Sequence, residues 1–249
     1  MASRIAHSPH AAGDSVCRIL LADDSHDSQA LIRLYLHGLP YHLDVAEDGE
    51  KAVAMFQSRR FDIVILDQHM PVMGGFPAAR VMREWESSRQ QTPVPMLALT
   101  ADSSVEAREQ GHAAGCTECL AKPIAKEQLL DALQRFGLSS SQKPATPRNH
   151  SPAGIAALID EEIARRRPLF LDHRRQELQR LQDAIERRDC EFIRTTGHRL
   201  KGLAGSYGFP EIGLAGAQLE QAAREQDVVA MRRTIDQLAA LLAQANQAV

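Results

Sequence analysis

The sequence predicts an α/β domain with a doubly wound, five-stranded parallel sheet, followed by an all-α four-helix bundle. Three observations carry this. In the first part, short apolar runs without polar alternation recur between helical patterns, as in parallel sheets covered on both faces. In the second part the apolar period is helical throughout. Between them SSSQKPATPRNHSPA, Ser139 to Ala153, concentrates Ser and Pro and has no apolar period, the pattern of a flexible, partly extended linker. A chain of 249 residues, 44% of them hydrophobic, is long enough for two cores. The expected divisions are a disordered tail over 1–15, the α/β domain over 16–138, the linker over 139–153 and the bundle over 154–249.

The first buried run is Arg18–Ala22, and Leu31, Leu34 and Tyr35 mark the helix after it. Leu43–Ala46 supplies a second strand before a helix containing Val53 and Phe56. Ile63–Leu66, Pro95–Leu99 and Cys119–Ala121 complete five strands. Beyond the linker, Leu171, Leu178, Leu181 and Ile185 define one helix. TTGHRLKGLAGSYGF defines a second, Ile212, Ala215 and Leu219 a third, and Val228, Met231, Ile235, Leu238 and Leu242 a fourth. SPAGIAALIDEEIA reads as a short leading helix.

Composition excludes several functions. Lys+Arg 29 against Asp+Glu 32 gives a net charge of −3, so no overall positive field exists to hold nucleic acid or an acidic membrane surface. No stretch approaches the ~18 apolar residues of a spanning helix, and the start, MASRIAHSPHAAGDS, lacks the apolar core of a signal peptide. A cytoplasmic protein without membrane insertion is expected. The cysteines, Cys17, Cys116, Cys119 and Cys190, include one CxxC but no second ligand pair for zinc, and read as ordinary reduced thiols.

Each buried run of the first part ends in a polar residue: Asp23 and Asp24 after RILLA, Asp67 after IVIL, Thr100 after MLAL, Lys122 after CLA. Ligands bind at the C-terminal edge of a parallel sheet, so these residues are expected to converge. Taken singly, an Asp after a strand is usually a turn residue or a helix cap; five ordered polar strand ends are not. Three carboxylates in one pocket repel one another unless a hard divalent cation neutralises them, and Mg²⁺ prefers such oxygen ligands. With charge withdrawn by metal and Lys122, one carboxylate can act as a nucleophile toward phosphorus while hydroxyl and ammonium hold the equatorial oxygens.

LLADDS, ILDQHMPVMGG, LALTA and CLAKPI, in this order, resemble the response-regulator receiver domain over roughly residues 16–138. The resemblance implies a flavodoxin-like fold, Asp67 as the phosphorylated aspartate, Asp24 as a direct Mg²⁺ ligand with Asp23 behind it, and the His69 backbone carbonyl as a further ligand. It implies that Thr100 and Lys122 contact the phosphoryl group and that the Lys122–Pro123 bond is cis. Two residues depart from the family pattern. Cys119 stands where output-type receivers commonly carry a Tyr or Phe switch, and His69 carries a side chain that stands either beside the phosphoryl site or in solvent as an ordinary loop residue.

Gly197, Gly202, Gly205 and Gly208 cluster around one histidine although each costs about 1 kcal/mol relative to Ala inside a helix. At 100° per residue Leu200, Leu203 and Tyr207 lie opposite His198, with Phe192, Ile193 and Thr196 extending their buried stripe, so His198 is expected to point to solvent. Gly202 and Gly205 lie on its own face at i+4 and i+7, beside Lys201 and Arg194. Glycines there clear a docking platform, and the cations suit a phosphate. On residues alone the imidazole is either a phosphohistidine or a metal ligand.

GHRLKGLAGSYGF within a helical bundle resembles the histidine phosphotransfer (HPt) domain, over roughly residues 154–249. This implies His198 as phosphoryl carrier, Lys201 as its charge partner, and Gly202 and Gly205 as the docking face. His173, in FLDHRRQEL without adjacent glycines, reads as a solvated surface residue. The two resemblances together imply a phosphorelay intermediate: a sensor histidine kinase phosphorylates Asp67, and His198 exchanges phosphoryl groups with a receiver, this one or that of another response regulator. The alternatives are the C-terminal part of a hybrid kinase, or a stand-alone regulator whose HPt domain is a phosphate sink. No glycine-rich ATP-binding segment supports an autonomous kinase, His69 stands where an aspartyl phosphatase usually has its acid, and no DNA-binding unit supports an output regulator.

Overall fold

The computed structural model describes residues 16–102, 104–137 and 152–247. Five strands, β1 (Cys17–Ala22), β2 (Tyr41–Ala46), β3 (Ile63–Asp67), β4 (Met96–Thr100) and β5 (Glu118–Ala121), form one parallel sheet in the order β2-β1-β3-β4-β5. Helices α1 (His26–Tyr35), α2 (Gly49–Ser58), α3 (Gly75–Ser88), α4 (Val105–Ala113) and α5 (Lys126–Gly137) connect and follow the strands. Successive strand side chains point to opposite faces. Ile19, Leu21, Ile63, Ile65, Leu97 and Leu99 therefore face one core with α1 and α5, while Leu20, Ala22, Val64, Leu66, Met96 and Ala98 face another with α2 and α3. The predicted strands are all present, each with bounds within two residues of those read from the runs. The register pairs Ala22 with Ala46 and Leu66, and Asp67 with Leu99, which sets the strand ends level along one edge.

The second half consists of α6 (Pro152–Arg187), α7 (Cys190–Leu203), a 3-10 turn over Ala204–Tyr207, α8 (Pro210–Arg224) and α9 (Val228–Gln247). The expected short leading helix is instead the start of α6, which runs unbroken for 36 residues through Pro168. Helix also begins at Pro152, inside the expected linker; the rest of that linker and the expected tail lie outside the described residues. Leu171, Leu181, Ile185, Ile193, Leu200, Ile212, Leu219, Met231, Ile235 and Leu238 form the bundle core, and the same apolar cluster continues into the α1/α5 side of the sheet domain. Gly197 and Gly216 let α7 and α8 touch: a Cβ at Gly197 would stand 2.6 Å from the Glu220 backbone nitrogen. Among the described residues no helix is long and apolar enough to cross a membrane, and all four cysteines are free.

Candidate functional site

Asp23 and Asp24 follow β1 directly, Asp67 ends β3, Thr100 ends β4 and Lys122 follows β5, so all five lie at the C-terminal edge of the sheet. One carboxylate oxygen each from Asp23, Asp24 and Asp67 falls within 4.8 Å of the others. Lys122 Nζ stands 2.9 Å from Asp67 Oδ2 and 3.6 Å from Asp23 Oδ2. Asp23 is fully buried and is fixed from the next turn, accepting from the Ser25 N–H at 2.8 Å and the Ser28 hydroxyl at 2.5 Å. Tight backbone packing holds Asp67 in place, since a Cβ on Gly75 would collide with its carbonyl oxygen. Thr100 donates to Gln68 Oε1 at 2.5 Å, and the Lys122–Pro123 bond is cis.

One ammonium among three carboxylates, with the Arg199 guanidinium 3.5 Å from Asp24 Oδ2, still leaves the pocket anionic. Burial pushes the Asp67 carboxyl up to about 6 against the pull of Lys122, with Asp23 adding to the rise. Asp24 is raised too, chiefly by burial. Burial alone would lower Lys122, but Asp67 and Asp23 hold it above its ordinary value. Asp24 Oδ1 is buried with no hydrogen-bond partner among the described residues. An orphaned hard oxygen inside a three-carboxylate cluster fits a divalent cation.

On the helical side His198 is 5% exposed, contrary to the expectation of a solvent-facing imidazole. The helix-wheel geometry holds, since Leu200 and Leu203 are buried in the bundle; the sheet domain covers the other face. The His69 ring meets the His198 ring edge-on, with centroids 4.2 Å apart, and is held neutral, pushed down to about 4 chiefly by burial, with Arg194 adding to the fall. His69 is thus half-buried against His198 rather than wholly in solvent. Gly202 likewise does not face solvent: a Cβ there would lie 2.9 Å from Lys122 Cδ, and one at Gly205 would lie 3.0 Å from Pro123 Cγ. Both glycines let α7 and the turn after it approach the strand edge.

His198 Nδ1 lies 3.1 Å from Glu220 Oε1 on α8. Glu220 is 4% exposed, and it also accepts from Arg224 Nη2 at 2.6 Å and lies 3.5 Å from Lys201 Nζ. Burial would raise this carboxyl, yet His198, Lys201 and Arg224 bring it down to about 2. An ionised carboxylate only accepts, so Nδ1 is the donor of this ring, and in the neutral tautomer Nε2 carries the lone pair. That Nε2 is buried without a hydrogen-bond partner among the described residues. Sequence reasoning missed Glu220; its one signal was a carboxylate directly after Leu219 on the apolar stripe of α8. Lys201 meets Glu220 as well as flanking His198. His173, expected in solvent, has Nδ1 3.2 Å from Asp27 Oδ1 on α1.

A doubly wound sheet with an acidic edge, facing a bundle with one oriented imidazole, is the pairing of a two-component signalling protein. Residues 19–134 match the response regulator receiver domain and residues 167–248 the Hpt domain. The chain thus joins a receiver to an HPt domain, the make-up of a two-component phosphorelay protein. It is 29% identical over 203 residues to the virulence sensor protein BvgS of Bordetella pertussis, covering 74% of this chain and 16% of the relative. It is 25% identical over 229 residues to the signal transduction histidine-protein kinase BarA of Shigella flexneri, covering 84% of this chain and 25% of the relative. The chain therefore spans a quarter or less of the length of these two relatives. Among solved structures the chemotaxis response regulator CheY4 of Vibrio cholerae is 35% identical, with a TM-score of 0.45 over 49% of this chain and 99% of that one.

Proposed function

We propose that this chain passes a phosphoryl group between Asp67 of its receiver and His198 of its HPt domain, receiving it from or delivering it to a sensor histidine kinase or another response regulator. The observation that carries the reading is the buried, partnerless Nε2 of His198 beside the acidic pocket. A lone pair buried without a proton donor is unfavourable unless the site exists to bond it to something else. The His69 ring, two residues past Asp67, lies against the His198 ring.

In the transfer toward His198, the Asp67 Oδ–P bond breaks as the Nε2–P bond forms, and the carboxylate regains its charge beside Lys122. Glu220 holds the ring on its Nδ1–H and balances the positive charge that the ring gains. Lys122 neutralises oxygen charge from the receiver side, and Lys201 does so from α7. Asp23, Asp24 and Asp67, with the His69 carbonyl, would hold Mg²⁺, which supplies charge neutralisation for the phosphoryl oxygens. The Thr100 hydroxyl turns from Gln68 to the phosphoryl group when one is present. Gly202 and Gly205 serve as the docking face in this reading. Because His198 lies at the mouth of the pocket, loading of Asp67 from a kinase requires the HPt domain to move off first.

The test is chemical. Asp67→Asn should abolish Mg²⁺-dependent labelling from a small phosphodonor at both sites, because an amide is not a nucleophile here. His198→Gln should leave Asp67 labelling intact while removing the acid-labile, base-stable phosphate of a phosphohistidine. Persistence of that species would move the carrier to another histidine.

A further inference from the structure

Asp27 lies in the first turn of α1, one residue past its start, and is 8% exposed. Its partners come from the HPt domain. Oδ2 accepts from Arg174 Nη2 at 2.9 Å, Oδ1 faces His173 Nδ1 at 3.2 Å, and the backbone carbonyl accepts from the Tyr207 hydroxyl at 3.0 Å. Arg174 is itself only 7% exposed and lies over the Phe170 ring, which stacks on Tyr207 at 4.7 Å.

The pair belongs to a row of alternating charges that crosses between the domains twice. Glu177 Oε2 is 3.2 Å from Arg174 Nε, Glu177 Oε1 is 3.5 Å from Arg199 Nη2, and Arg199 Nη1 is 3.5 Å from Asp24 Oδ2. Two guanidinium groups on the HPt side share one carboxylate of their own, so the HPt face carries a surplus positive charge. The receiver answers with Asp24 and Asp27.

We propose that Asp27 and Arg174 are a partner-selecting pair, which admits to His198 a receiver carrying a carboxylate at this place on α1. The proposal rests on the transfer reading above but concerns docking rather than chemistry. Undocked, Asp27 exchanges its HPt partners for water, while Arg174 keeps the Glu177 it shares with Arg199. Docked against a receiver lacking the carboxylate, Arg174 enters the interface with only Glu177, which it shares with Arg199, so the surplus positive charge is buried without a counter-charge, and a buried unpaired charge costs far more than the pair contributes. Discrimination therefore comes mainly from rejection of the wrong partner. Neither residue touches the phosphoryl group, so both act by positioning.

A double-mutant cycle on the full chain tests this, with Asp27→Asn, Arg174→Gln and the two combined. Docking is read without chemistry, as hydrogen-exchange protection of peptides covering Lys122–Ile124 and Gly202–Ser206. Transfer is read separately, as phosphate passing from Asp67 to His198 after loading with acetyl phosphate and Mg²⁺. Each single change should lower both by about 30-fold, the scale for stranding one partner of a buried pair. Asp67 loading should be no slower than wild type, because undocking uncovers the pocket, and this also reports that the receiver is folded. The combined variant should lose no more than the worse single one, because no charge is left alone. Protection within twofold of wild type in either single variant, or losses that multiply in the double, would overturn the proposal. A normal cycle in protection with no phosphate ever reaching His198 would support the docking pair and defeat the transfer reading instead.

Discussion

Two buried carboxylates, Asp67 in the sheet domain and Glu220 in the bundle, are pushed in opposite directions by their surroundings. Asp67 is taken up to about 6 because burial and Asp23 outweigh Lys122. Glu220 is taken down to about 2 because His198, Lys201 and Arg224 outweigh burial. The receiver carboxylate is therefore short of positive charge, and the HPt carboxylate has an excess of it. On the proposed reading each imbalance suits its task. Asp67 gains by binding a cation and a phosphoryl group, whereas Glu220 stays ionised and fixes which nitrogen of His198 is free.

The sharpest break in this comparison is Glu220→Ala. It leaves Nδ1 without its charged acceptor and should slow Asp67-to-His198 transfer by about 10–100-fold, the range for a hydrogen bond to a charged group. Asp67 loading should be untouched; rapid-quench labelling of both sites checks it, and an unchanged transfer rate would leave Glu220 with no part in orienting the ring.

A smaller effect, about tenfold or more, is expected where the two halves only touch. Gly205→Leu should slow transfer more than Gly202→Ala, because leucine drives a whole side chain against the rigid Pro123 ring, whereas alanine adds one carbon 2.9 Å from Lys122 Cδ. Melting temperatures should hardly change. Wild-type rates in both variants would show that close approach at these glycines is unnecessary.

The smallest effects lie in stability against pH, and their signs differ. The folded Asp67 carboxyl is raised above its ordinary 3.8, so its contribution is full below that value and is lost as pH rises through about 6. Without divalent cations, Asp67→Asn should therefore be more stable than wild type above pH 6, with the gap closing toward pH 4. The folded Glu220 carboxyl is depressed from 4.5 to about 2, so its contribution is full above 4.5 and is lost as pH falls through about 2. Glu220→Gln should be less stable at pH 7, with the gap closing in acid. Melting curves from pH 3 to 8 measure both, and shifts of the same sign would contradict the contrast.

The receiver side was the more legible in sequence for a physical reason. A parallel sheet brings every strand end to one edge, so Asp23, Asp24, Asp67, Thr100 and Lys122 could be assembled from the order of the runs alone. The helical side yielded only what lies on one helix. His198 and its glycines follow from a 100° period, but Glu220 is on the next helix, and its reach to Nδ1 depends on the close α7–α8 crossing at Gly197 and Gly216. The burial of His198 and the Asp27–Arg174 contact were invisible because they arise from docking between two separately patterned cores. The length of α6 was misread because Pro168 and the polar stretch before it interrupt the apolar period without ending the helix.

The central claim, transfer between Asp67 and His198 of one chain, is tested most directly by the concentration dependence of the reaction. The 249-residue chain, loaded at Asp67 with acetyl phosphate and Mg²⁺, is quenched over time at a series of protein concentrations, and base-stable phosphate on His198 is followed. The docked arrangement predicts a first-order rate independent of concentration, with no acceleration when Asp67→Asn chains are added as acceptors. A rate rising in proportion to protein concentration would place the transfer between chains, and no base-stable phosphate at any concentration would contradict the transfer itself.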